Sequence, residues 1–181
     1  MTEINNEKFY SLMHDKELCR EMIRRIVPDI NAFDIRFLKN CDIPDADGLR
    51  FNLYVDSDGR KYYTFYVEIL AEDPGYIPLR DRKYHAFMGL DALTPGNEGA
   101  YVISICKFDP FNYGLHRYTI ITADTKDPSI VLDDGRNSIF LNTEGTADDI
   151  KPELKNFLDF IAGRESDSSD SFINKLTELT R

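Results

Sequence analysis

Residues 50–70 read RFNLYVDSDGRKYYTFYVEIL. Two runs that alternate apolar and polar side chains flank an Asp-Gly, which is the pattern of a β-hairpin. In the first run Phe51, Leu53 and Val55 point one way and Arg50, Asn52 and Tyr54 the other, because successive side chains of a strand alternate. In the second, Tyr63, Phe65, Val67 and Ile69 share a face, opposed by Tyr62, Thr64, Tyr66, Glu68 and Leu70. A three-residue loop, Ser57-Asp58-Gly59, with Gly59 in the left-handed conformation, pairs the two apolar faces. Asn52, Glu68 and Leu70 then lie on one face. In that tight-loop register Glu68 falls opposite Gly48, and a longer loop or a bulge is needed to bring it beside Asn52.

Working outward, residues 5–28 carry a helical stripe of Leu18, Cys19, Met22, Ile23, Ile26, Val27 and Ile30, with Glu17, Arg20, Glu21, Arg24 and Arg25 facing away. His14-Asp15 is a candidate break with Asp15 as a cap, and Pro28 ends the run. Phe33, Ile35 and Phe37 alternate as a first strand, and residues 42–48 have turn chemistry. Residues 77–93 read as a helix with Arg80, Arg82 and Lys83 in its first turns, where cations meet an already positive helix end. Residues 101–108 (YVISICKF) form a largely apolar run suited to a central strand. Residues 116–123 add a strand, and 130–132 with 138–141 suggest a hairpin around Asp134-Gly135. Leu154, Phe157, Leu158 and Ile161 give a closing amphipathic helix, followed by a polar linker and a short stripe of Phe172, Ile173, Leu176 and Leu179.

The chain has 181 residues, 42% of them hydrophobic and 30% charged, enough for one domain with a sizeable core. Its formal net charge of −10 disfavours avid, non-specific nucleic-acid binding by the whole surface, though not by a local basic groove. Cys19, Cys41 and Cys106 are widely spaced in apolar surroundings and read as buried thiols of a reducing cytosol. His14, His85 and His116 are scattered, which argues against zinc. No apolar run approaches a membrane span, so a soluble, cytoplasmic protein is expected.

A carboxylate on one strand and a Glu on its neighbour, with a Lys or Gln two residues later, is the layout by which metal-dependent nucleases hold Mg²⁺ or Mn²⁺. The chain resembles the PD-(D/E)XK nuclease-family transposases, also described as recombination-promoting nucleases. Their pattern of R-L-D-V-Y, a D-x-x-G turn, N-I-E-M-Q and a basic "lpkR-x-R-Y-Y" segment is echoed by RFNLY (50–54), DSDG (56–59), VEIL (67–70) and IPLRDRKYHAFM (77–88). YVISICKFDPFNYGLHRYT (101–119) and LDDGRNSIFLNTEG (132–145) are similar to the family's later segments. The resemblance spans about Phe9 to Leu176. The family continues past a DSFIKKL-like segment, whereas DSFINKLTELTR (170–181) closes this sequence, which therefore resembles a short form.

The resemblance implies an α/β, restriction-endonuclease-like core: a mixed β-sheet flanked by α-helices over residues 1–163, with residues 164–181 as a linker and short helix. It places the family's Asp on Asn52, its metal-binding Glu on Glu68 and its Gln on Leu70. Glu68 is placed by counting back from IPLR; counting forward from Gly59 reaches Phe65 instead. An Asp-to-Asn change removes a unit charge beside a divalent ion, a loss on the order of several kcal/mol. Leu70 offers no donor or acceptor. Glu17 or Glu21 is a conceivable substitute ligand, against a plainer reading as helix-surface ion pairs with Arg20 and Arg24. Arg80, Arg82, Lys83 and Tyr84 match the family's basic segment and would hold phosphate; a charged helix face beside Asp73 and Asp81 explains them equally well.

DPFNYG (109–114) reads as a structural turn, Asp133-Asp134-Gly135 as a hairpin turn, and the C-terminal stripe as docking on its own domain. The expected function is that of an impaired nuclease homologue acting as a DNA-binding or regulatory module. A weak Mg²⁺- or Mn²⁺-dependent DNA endonuclease is one alternative. The other is a protein-interaction decoy in a mobile-element or defence system, where the acidic charge suits a protein partner or a homo-oligomer.

Overall fold

The computed structural model describes residues 4–38, 48–90, 96–165 and 167–181. Two short helices open it, α1 (Asn6–Met13) and α2 (Lys16–Ile26). They are separated where Asp15 caps α2, its side chain accepting from the Glu17 and Leu18 amides. The strands β1 (Asp34–Phe37), β2 (Leu49–Tyr54) and β3 (Tyr62–Leu70) follow as an antiparallel meander. Helix α3 (Tyr76–Leu90) then crosses over to β4 (Asn97–Cys106), which lies parallel to β3. After β5 (Arg117–Ile120), a small ribbon pairs β6 (Thr122–Ala123) with β7 (Val131–Leu132). Strand β8 (Arg136–Asn142) returns to the sheet, and α4 (Pro152–Ile161) and α5 (Ser171–Leu179) close the chain. Among the described residues the main sheet has six strands in the order β1-β2-β3-β4-β8-β5. The turn expected over 42–48, apart from Gly48, and Cys41 lie outside the described residues, as does the expected end of α3 at Leu93.

The hairpin forms in the tight register. Asn52 pairs with Thr64 and Leu49 with Val67, Gly59 sits at φ +67°, and Asp56 fastens the turn by accepting from the Arg60 and Lys61 amides. One face of the sheet, carrying Phe51, Leu53, Phe65, Val67, Ile69, Ile103 and Ile105, packs under α1, α2, α4 and α5 in one large core. On the other face α3 covers two smaller clusters, one with Tyr66 and Val102 and the other with Leu70, Cys106 and Phe140. Being covered on both sides, β3 is buried continuously from Thr64 to Leu70.

Helix α5 docks on the core through Phe172, Ile173 and Leu176. Arg25 clamps its start, donating to both oxygens of Asp170 at 2.7 and 2.8 Å and lying 4.5 Å over the Phe172 ring.

Two expectations are corrected. Residues 130–132 do not form a hairpin with 138–141: Val131–Leu132 pairs with Thr122–Ala123. Strand β8 instead runs parallel to β4 and antiparallel to β5. The physical reason lies in burial. Ile139, Phe140 and Leu141 are apolar on both faces and require a central position, which an edge hairpin with exposed Val131 and Leu132 cannot offer. The strand expected over 116–123 is likewise broken at Ile121, its first half joining the main sheet and its second the ribbon.

Candidate functional site

Glu68 lies on β3 beneath α3 and is 2% exposed. A buried carboxylate must be paired and hydrogen-bonded, and this one is. Its Oε2 accepts from the Tyr66 hydroxyl at 3.0 Å and from Arg82 Nη2 at 2.8 Å; its Oε1 accepts from the Ser104 hydroxyl at 3.0 Å. Each partner is positioned by a different rule. Tyr66 is two residues back on the same strand face. Ser104 is its Cα partner on the parallel strand β4. Arg82 descends from the second turn of α3. Burial, and then the Glu68 charge and hydrogen bond, push the Tyr66 phenol well above its ordinary value, so it stays protonated and donates. The Tyr66 ring also lies across Gly48 and leaves no room there for a Cβ.

The three positions taken from the hairpin share a face but not a site. Asn52 pairs with Thr64, so Glu68 is displaced from it by four residues along β3, about 13 Å at a strand's rise. The Asn52 Oδ1 is buried and has no hydrogen-bond partner among the described residues. Leu70 packs in the apolar cluster with Leu79, Cys106, Tyr118 and Phe140. Glu17 and Glu21 pair with Arg20, Arg24 and Arg25 on α2, which packs on the sheet face opposite to Glu68.

Of the basic segment, Arg82 is turned inward to Glu68, and Arg80 pairs with its neighbour Asp81 at 2.8 Å. Lys83 and Tyr84 remain on the outer face of α3, with the ammonium 4.8 Å from the ring centroid. Tyr66 and Ser104 were not singled out in the sequence. The available signal for Ser104 was its place as the single polar side chain within VISIC (102–106).

The donor set does not fit a divalent metal. Hard cations take several oxygens, usually from one or two carboxylates with waters. Here one carboxylate has a guanidinium already bound, the amide is offset by four residues along β3, and the third position is aliphatic. What the arrangement does chemically is neutralise a buried charge and tie α3 to β3 and β4.

Fold and network together define an α/β protein with a six-stranded mixed sheet and five helices among its described residues. No family model, curated protein or solved structure matches the chain. Among the described residues no helix is long and apolar enough to cross a membrane.

Proposed function

We propose that this chain is a non-cleaving relative of the PD-(D/E)XK nuclease-family transposases, built on their restriction-endonuclease-like core and acting as a regulatory module through macromolecular contacts. The observation that carries the reading is the Arg82–Glu68 pair at 2.8 Å: where the resemblance places a metal-binding carboxylate, this chain supplies a built-in cation. The mixed sheet with helices on both faces and the motif-bearing hairpin on β2 and β3 support the nuclease-like ancestry. Asn52 and Leu70 support the loss of cleavage, since neither contributes charge and Leu70 is committed to packing.

The test is a plasmid-nicking assay with Mg²⁺ and with Mn²⁺. No nicking above buffer is expected, and Glu68→Gln should leave that background unchanged. Metal-dependent nicking abolished by Glu68→Gln would defeat the reading. A DNA-contacting module is the second reading, favoured by the half-buried Lys83 set against the exposed ring of Tyr84. It predicts salt-sensitive retention of duplex DNA that is lost in an Arg80→Ala/Lys83→Ala variant.

A further inference from the structure

We propose that the β6–β7 ribbon and the outer face of α3 form a self-association surface: the ribbon of one chain docks on α3 of a second copy, and the second ribbon docks reciprocally about a two-fold axis. The ribbon has two residues per strand, paired only with each other among the described residues. So short a two-stranded piece does not hold its shape alone in water, yet its aliphatic side chains face solvent. Ile121 is 58% exposed, Ile130 60% and Leu132 63%. An open cleft of about 470 Å³ separates Ile121 from Lys83 and Tyr84 of α3, and Met88 of the same helix is 72% exposed. Large apolar side chains left in solvent on two neighbouring elements mark an interaction site.

Charge selects the occupant. The ribbon and its turns carry Asp124, Asp127, Asp133 and Asp134 against Lys126 alone, four acids less one cation, or −3. Among the described residues the α3 side of the cleft carries the cation Lys83 and no acid, and Arg136 lines the same cleft. Lys83 has no carboxylate partner among the described residues. The two patches border one cleft, so a two-fold operation lays the acidic, aliphatic ribbon of one copy over the basic, aromatic helix face of the other. That is the self-complementarity an isologous interface requires. A phosphate backbone would meet the aspartates and gain nothing from the ribbon's aliphatic residues. The acidic amphipathic complement to α3 is already present in this chain. The inference does not rest on the non-cleaving nuclease reading, and it competes with the DNA-contacting one for Lys83.

Sedimentation equilibrium of the intact chain tests it. At about 100 µM, above the weak end for interfaces of ordinary size, the expected mass is twice that of the 20.9 kDa chain. Ile121→Asp/Leu132→Asp should return a monomer whose far-ultraviolet spectrum and melting temperature at low concentration match the parent. Lys83→Glu should weaken association by about tenfold at low salt, and less at high salt. A monomer throughout the range overturns the proposal, as does a dimer indifferent to the ribbon substitutions. A monomer that retains duplex DNA through Arg80 and Lys83 also overturns it, assigning this face to nucleic acid.

Discussion

Arg82 Nη2 stands 2.8 Å from Glu68 Oε2, with Glu68 closed off from solvent and Arg82 only partly covered. A cation of α3 is thereby held inside the protein, paired with the acid to which the resemblance assigns a metal. The Glu68 charge is neutralised within the fold.

Removing one member of such a pair strands the other. Arg82→Met is expected to cost about 2–4 kcal/mol, somewhat below the figure for fully buried pairs because Arg82 is 28% exposed. Glu68→Gln/Arg82→Met should recover most of the loss, since no charge is left unpaired. Urea unfolding followed by circular dichroism measures both. Equal losses in the single and double variants would show that the pair is not coupled.

Binding of Mn²⁺ to the native state alone would raise stability by about 2.7 kcal/mol at a hundredfold excess over its dissociation constant. The pairing of Glu68 with Arg82 predicts no shift of the melting temperature with added Mn²⁺ or with chelator. A clear upward shift that disappears in Glu68→Gln would place a metal at this carboxylate.

Installing the residues that the resemblance calls for should not create a metal site. Leu70→Gln puts an amide into the cluster of Leu79, Cys106, Tyr118 and Phe140, at a cost of about 2–4 kcal/mol. Asn52→Asp places its new charge four residues along β3 from Glu68. The double variant is expected to be less stable and no better at nicking DNA. A gain of metal-dependent cleavage would mean that the two strand positions do cooperate.

The clamp on α5 titrates in acid. Burial by itself would raise the Asp170 carboxyl, but the hydrogen bonds and charge of Arg25 outweigh it and hold the group below the usual carboxylate range. A depressed folded-state value stabilises the protein above the unfolded value, about 3.9, and that contribution disappears as pH falls through the lower folded one. Asp170→Asn, which keeps the capping oxygen, should cost about 2–3 kcal/mol at neutral pH and nearly nothing once both forms are protonated. A penalty that does not change with pH would assign the loss to packing.

The hairpin register, the break at Asp15, the helices over α3, α4 and α5 and the central position of β4 were all legible from periodicity and turn chemistry. These are local properties, set by side chains within a few residues of one another. The ribbon is not legible in this way, because 130–132 and 138–141 are both strand-like and flank an Asp-Gly. Which strand each joins depends on the burial offered by distant β4 and β5.

The candidate site divides in the same way. Alternation along the hairpin suffices to put Asn52, Glu68 and Leu70 on one face, and pairing register alone already separates Asn52 from Glu68. That Glu68 is buried, that Tyr66, Ser104 and Arg82 enclose it, and that Leu70 belongs to an apolar cluster follow only from the crossover that brings α3 and β4 against β3. A carboxylate's role is set by the charges and donors within a few ångströms of it, and those neighbours come from parts of the chain that meet only on folding.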